Sequence, residues 1–272
     1  MTKKNPDLRS HFGLTSLPFT REIAVKSLWC PPIYQQPLDE LSETVRQRMS
    51  AAVLAPSGTG KTALLRALKD RLPEARYRCC YVKVTCLSKR DMCREIATVT
   101  GIEPAGTYPA LVRKLQGSFS SYASDEGAQP VLLLDEAQDI RPEVLAILRD
   151  LTNFEMDSRL VLSVVLAGDA RLEKLLRRQE VEPVRRRLVH VATLRLLSRD
   201  ETRAYMEHRI TIAGGKQLPF DHDAVDAVYE ITRGNLRAID HVAHKAMGYA
   251  CGQGDATVDT GLVVKARQSL LL

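Results

Sequence analysis

The chain opens on about forty residues without sustained apolar periodicity, where Pro6, Pro18, Pro31, Pro32 and Pro37 argue against a long helix. From Leu38 the pattern changes: Leu38, Leu41, Val45 and Met49 recur at three-to-four spacing and predict a helix over 38–49. Residues 51–54 are a short apolar strand, APSGTGKT (55–62) a loop, and 63–71 a helix ended before Pro73. Residues 77–84 alternate and are rich in β-formers, which predicts a strand. Ser88 opens a helix to about Val99, and 108–122 is another helical stretch. A buried strand over 131–134, a helix over 142–154 and an all-apolar strand over 160–167 follow. Uninterrupted apolar strands separated by helices predict a parallel sheet covered on both faces.

After Leu197 only helical patterns remain. Ser198 and Glu201 have the spacing of a capping box for a helix to about Ile212, and helices follow over 223–232, 236–251 and 261–272. The expectation is an N-terminal segment (1–45), a core α/β domain (46–197) and a small all-helical appendage (198–272).

Composition narrows this little. With 44% hydrophobic and 26% charged residues the chain reads as an ordinary globular protein. Its longest apolar runs fall far short of the roughly 20 residues of a membrane span, and MTKKNPDLRSHFGL lacks the apolar core of a secretory signal. No membrane association and a cytoplasmic location are therefore expected. Six scattered cysteines, with no CxxC pair, indicate small core residues rather than a disulfide framework or a metal site. His241 and His244 lie at i, i+3 without a third ligand in view and read as ordinary polar-face residues. The net charge of +6 makes a polyanion a candidate partner.

The chemistry is concentrated in two segments. APSGTGKT lies between an apolar strand and a helix, the context of a phosphate-binding loop. Gly58 and Gly60 let the backbone N–H groups of Ser57, Gly58, Thr59 and Gly60 turn toward phosphates, and the helix adds its positive end. Lys61 reaches the β- and γ-phosphates of ATP and the Thr62 hydroxyl ligates Mg²⁺; Ala55 stands where a glycine is usual. In VLLLDEAQ (131–138), four apolar residues carry Asp135 to a strand end where it holds the Mg²⁺ hydration shell, and Glu136 orients the attacking water. At the end of the later strand Asp169 is either a γ-phosphate sensor or a helix cap, with Gln138 and Ser163 as alternative sensors. Arg237, in GNLR, is a second phosphate sensor or a surface arginine.

With these motifs in order, the chain resembles AAA+ ATPases of the ExeA-like group, which includes the transposition ATPases of the TniB, TnsC and MuB type. HFGLTSLPF (11–19), APSGTGKT, LLLDEAQ, VLAGDARL, VRRRL (184–188), LLSRDET and RGNLRAID carry the resemblance over nearly the whole length. It implies a P-loop AAA+ core with a helical lid, and an adenine contact from Phe19 or Tyr34. It also implies assembly with copies of itself as a ring or helical filament. Among Arg177, Arg178, Arg185, Arg186, Arg187 and Arg195, the segment's place favours Arg187, then Arg185, as the arginine completing a neighbour's site. Secretion members of the group carry a membrane span and a further module after the lid. This chain ends soon after it, so the expectation is an ATP-dependent protein on duplex DNA that recruits or activates a transposase. Lys89 and Arg90, then Arg113 and Lys114, are the candidate phosphate-backbone contacts. The alternatives are a soluble secretion or pilus-assembly ATPase acting on proteins, and a helicase-loader-like ATPase.

Overall fold

The computed structural model describes residues 7–124, 127–154, 156 and 158–270. They divide into two compact units. One comprises 30–57 and 61–194; the other comprises 7–29, 58–60 and 195–270.

The first of these is a sheet with helices on it. Helix α1 (Leu8–Phe12) belongs to the other unit; here the chain runs α2 (Pro32–Arg46), β1 (Ser50–Leu54), α3 (Lys61–Arg71), β2 (Tyr77–Lys83), α4 (Lys89–Thr100) and α5 (Tyr108–Ser124). It continues through β3 (Gln129–Asp135), α6 (Pro142–Leu145), α7 (Ile147–Thr152), β4 (Ser163–Gly168), α8 (Ala170–Leu176), α9 (Glu182–Arg185) and β5 (Leu188–Thr193). The strands lie in the order β2-β3-β4-β1-β5, and all pairs are parallel. β3 and β4 are buried at every position, whereas the edge strands β2 and β5 are only partly so. This is the doubly covered sheet that the uninterrupted apolar runs predict. Gln129 ties the amino ends of the strands together: its amide donates to the Val45 carbonyl (2.7 Å) and to Ser163 Oγ (2.9 Å).

Four local expectations need correction. The helix expected from Leu38 begins at Pro32, with Pro37 inside it, and ends at Arg46. Pro32 occupies the first turn, where the missing N–H costs nothing, and Pro37 is buried in the helix interior. The expected 142–154 helix is two short ones meeting at Ala146. Strand β4 begins at Ser163 rather than at Leu160, because Arg159 instead bridges to Phe154. Strand β5 has no counterpart in the sequence pattern, since half of its alternation is exposed valine. Of the cysteines, Cys80, Cys93 and Cys251 are buried, but Cys30 and Cys86 are exposed.

The second unit gathers α1, α10 (Arg199–Ile212), α11 (His222–Thr232), α12 (Leu236–Gln253) and α13 (Thr260–Gln268) with the segment up to Trp29. Leu271 and Leu272, expected to end the last helix, lie outside the described residues. Ser198 and Glu201 form the capping box at α10. The buried Arg209 is the polar centre: it donates to the Thr20 carbonyl (2.6 Å), the Tyr205 hydroxyl (2.7 Å) and Asp240 (3.2 Å). Burial pushes the Asp240 carboxyl up, against the pull of Arg209. Phe19 packs edge-on against Phe220 and beneath the Arg209 guanidinium.

Gly234 closes the turn between α11 and α12 at φ +76°, and its carbonyl accepts from Leu197 N–H (3.0 Å). A Cβ there would overlap the Leu197 backbone in a conformation that side chains resist. Gly234→Ala is expected to destabilise the protein by at least about 2 kcal/mol. Gly248→Ala, in open space within α12, should be neutral or stabilising by up to about 1 kcal/mol. Chemical denaturation of the two variants side by side checks the contrast.

Candidate nucleotide-binding site

The carboxyl ends of β1, β3 and β4 lie together, the place where open parallel sheets bind ligands. β1 runs directly into Ala55, whose N–H donates to the Gly168 carbonyl at the tip of β4 (3.0 Å). Gly58 and Gly60 hold φ +79° and +94°, the left-handed conformations needed to curl the loop before α3 starts at Lys61. Thr59 is buried, while Ser57 is exposed. The Lys61 ammonium is buried, donating to the loop carbonyls of Ala55 (3.0 Å) and Pro56 (3.2 Å).

Beside it Asp135 is 2% exposed at the end of β3. The Thr62 hydroxyl donates to Asp135 Oδ2 at 2.6 Å. The Glu136 N–H donates to Oδ1 at 2.9 Å. Tyr81, from β2, donates its hydroxyl to Oδ2 at 3.1 Å. Burial, and then the Asp135 charge, push the Tyr81 phenol up to about 12. Glu136 sits at φ +55°, a left-handed conformation in a residue that resists it. Strain of this kind collects at functional sites. Gln138 bridges from this turn to β4: its amide donates to Glu136 Oε2 (2.6 Å) and its carbonyl oxygen accepts from Asp169 N–H (3.3 Å).

A hydroxyl and a carboxylate are the hard oxygen donors that Mg²⁺ prefers, with water and phosphate supplying the rest. Among the described residues no group of three or more His, Cys, Asp or Glu is arranged to hold a metal. His241 is exposed and His244 half-buried on α12.

Asp169 caps α8 through the Arg171 N–H (2.8 Å) and forms an ion pair with the Arg171 guanidinium (2.9 Å). Burial raises its carboxyl, but the hydrogen bonds from Arg171 outweigh that and hold it below the ordinary range. Ser163 lies at the start of β4, the opposite end of the strand from Gly168, which removes it as a phosphate sensor. In the second unit Arg237 N–H donates to the Gly58 carbonyl (3.2 Å), and its side chain is exposed. Asn235, which the sequence did not single out, caps α12 and packs so closely on Gly58 that a Cβ there would overlap it.

Tyr34 is buried on α2, and Phe19 is buried among the aromatics described above. Arg185 lies 4.0 Å from Glu182, Arg186 binds the same carboxylate at 2.7 Å, and Arg187 donates to the Pro183 carbonyl (3.0 Å) just before β5. Lys89 and Arg90 form the first turn of α4 after the Ser88 cap. Arg90 donates to the Gly106 carbonyl (3.1 Å) and Lys114 to the Ala105 carbonyl (3.3 Å), so both also hold the α4–α5 loop. Arg113 is exposed on α5.

Residues 44–176 match the family described as AAA domain. General secretion pathway protein A of Aeromonas hydrophila is 28% identical over 254 residues, 92% of this chain but 46% of the relative; the chain thus spans under half of that protein's length. Among solved structures, the Aeropyrum pernix ORC2 protein in its ADPNP–ADP complexes superposes with a TM-score of 0.71 at 17% identity, covering 92% of this chain and 70% of that one. The Aeropyrum pernix ORC1 protein in complex with DNA gives 0.69 at 17% identity, covering 92% and 68%. At such identity the solved structures speak for the fold alone. The chain has the P-loop AAA+ fold with a helical C-terminal region, and the match of residues 44–176 to the AAA domain, with the relative, supports an AAA+ ATPase.

Proposed function

We propose that this chain is an ATP-controlled switch that assembles with copies of itself on duplex DNA, and that ATP hydrolysis dismantles the assembly and thereby regulates a transposase. The observation that carries the nucleotide half is the Thr62–Asp135 hydrogen bond beside the glycine loop. That bond commits the Thr62 proton to the carboxylate, so the lone pairs of the hydroxyl are left for a cation. Lys61 neutralises phosphate charge in the ground state. Glu136, held by Gln138, is the group that orients the attacking water. Bound Mg²⁺ would neutralise charge on the phosphates. Arg187, half-buried ahead of the edge strand β5, is our choice for the arginine that completes a neighbouring copy's site, with Arg185 next.

Support for DNA is the net charge of +6 together with the exposed Lys89 and Arg113 and the cations Arg90 and Lys114 near them. A protein of similar fold is known in complex with DNA. A second reading, action on protein partners in secretion, is favoured by the general secretion pathway relative. Among the described residues no helix is long and apolar enough to cross a membrane.

Lys61→Ala should abolish nucleotide binding, whereas Glu136→Gln should keep binding and lower turnover by a factor of about 10² or more; unchanged turnover in the glutamine variant would remove the water-positioning role. Mixing Arg187→Ala with Lys61→Ala protein should restore part of an activity that neither has alone, since a trans arginine is worth about 10³ to 10⁵ in rate. Absence of restoration at any ratio would move the role to Arg185 or to a site complete within one chain. Duplex DNA should bind only with ATP or a non-hydrolysable analogue. Replacing Lys89 and Arg90 by alanine should make the log–log salt slope shallower by about 0.9 for each phosphate no longer neutralised. An unmoved slope places the DNA-binding surface elsewhere, and no binding at any salt favours the protein-partner reading.

A further inference from the structure

Resting on the assignment of Thr62 and Asp135 to the cation, we infer that Tyr81 is a positioning residue for the Mg²⁺ half of the site, setting how tightly the metal is held rather than how tightly the nucleotide is. The inference starts from register. β2 pairs with β3 so that Tyr81 stands opposite Leu133, with Asp135 two residues further along the same face. In a parallel pair such a neighbour is one strand spacing of about 4.8 Å across and two residues of about 3.3 Å along, so about 8 Å away, within reach of an aromatic side chain and beyond that of a short one. Tyr81, 36% exposed on the edge strand, spans that gap and brings its hydroxyl to the buried carboxylate.

Packing alone does not account for Tyr81, because the residue is more than a third exposed while its hydroxyl meets a buried carboxylate. Asp135 Oδ2 receives two donors and Oδ1 one. The Glu136 N–H is fixed by the strained turn, and the Thr62 hydroxyl must also serve as a cation ligand. Tyr81 is therefore the side-chain donor that holds the carboxylate plane without itself being asked to touch the ion. Outer donors of this type tune metal affinity by about 10- to 100-fold. The phosphate contacts of Lys61 and of the loop amides do not depend on it, since Lys61 is held by the Ala55 and Pro56 carbonyls.

The test compares Tyr81→Phe with the unaltered chain and with Tyr77→Phe, a control on the same face of β2. A fluorescent ADP analogue measures nucleotide affinity in EDTA. Mn²⁺ binding to the ADP complex, followed by electron paramagnetic resonance, measures metal affinity without turnover. Tyr81→Phe should leave nucleotide affinity in EDTA within about twofold and weaken Mn²⁺ about tenfold, while Tyr77→Phe changes neither. Tyr81→Leu, which also removes the ring, should give the same metal loss even if its melting temperature falls. Unchanged Mn²⁺ affinity in both Tyr81 variants overturns the inference, as does an equal loss of nucleotide and metal. An unaltered chain that binds no nucleotide instead defeats the assignment of the site, and the two failures are thereby distinct.

Discussion

A carboxylate at the end of a fully buried strand is the constraint on which the site is built. Asp135 has almost no water around it, and a buried charge is tolerated only where donors surround it. Those donors come from three places: the first turn of α3, the edge strand β2, and the backbone just after β3. To supply them, α3 must begin at the end of the glycine loop, β2 must pair with β3 in one register, and the chain must turn sharply at Glu136. The left-handed Glu136 backbone, an unfavourable conformation for that residue, is the local consequence. The same turn puts Gln138 between Glu136 and the tip of β4, so the glutamate and the neighbouring strand end are held as one unit.

What the sequence displays of this is the part written in contiguous residues. APSGTGKT and VLLLDEAQ specify loop, helix start, strand and acidic end locally, and uninterrupted apolar strands announce a sheet buried on both faces. Contacts made across strands are silent in the sequence. Tyr81 looks like any aromatic in a β-rich run until the β2–β3 register sets it diagonal to Asp135. Asn235 carries no signal of its own in the sequence until it is found against Gly58. β5 escaped because an edge strand with valines exposed on one face lacks the continuous apolar signal of its neighbours. Pro37 misled for the opposite reason: local chemistry counts against proline inside a helix, yet burial of Leu38, Leu41 and Val45 along α2 overrides it.

The family match bears on the position of the site more than on the biology. The AAA-domain match covers the β1 to β4 portion that carries Lys61 and Thr62 at the start of α3, Asp135 at the end of β3 and Glu136 just after it. Partner choice depends on surfaces rather than on this shared machinery. Arg90 and Lys114 illustrate the difficulty, since each already serves the α4–α5 loop through a carbonyl while presenting positive charge.

The central claim is that Thr62 and Asp135 form the cation side of a nucleotide site built on the 55–62 loop. Crystals grown with ADP and Mn²⁺, with data collected at the manganese absorption edge, test it directly. The account predicts an anomalous peak at coordination distance, about 2 Å, from Thr62 Oγ1, with Asp135 reaching it directly or through a water and the phosphates on the loop amides. Phosphates bound away from the loop, or a manganese peak that leaves Thr62 and Asp135 untouched, would contradict it.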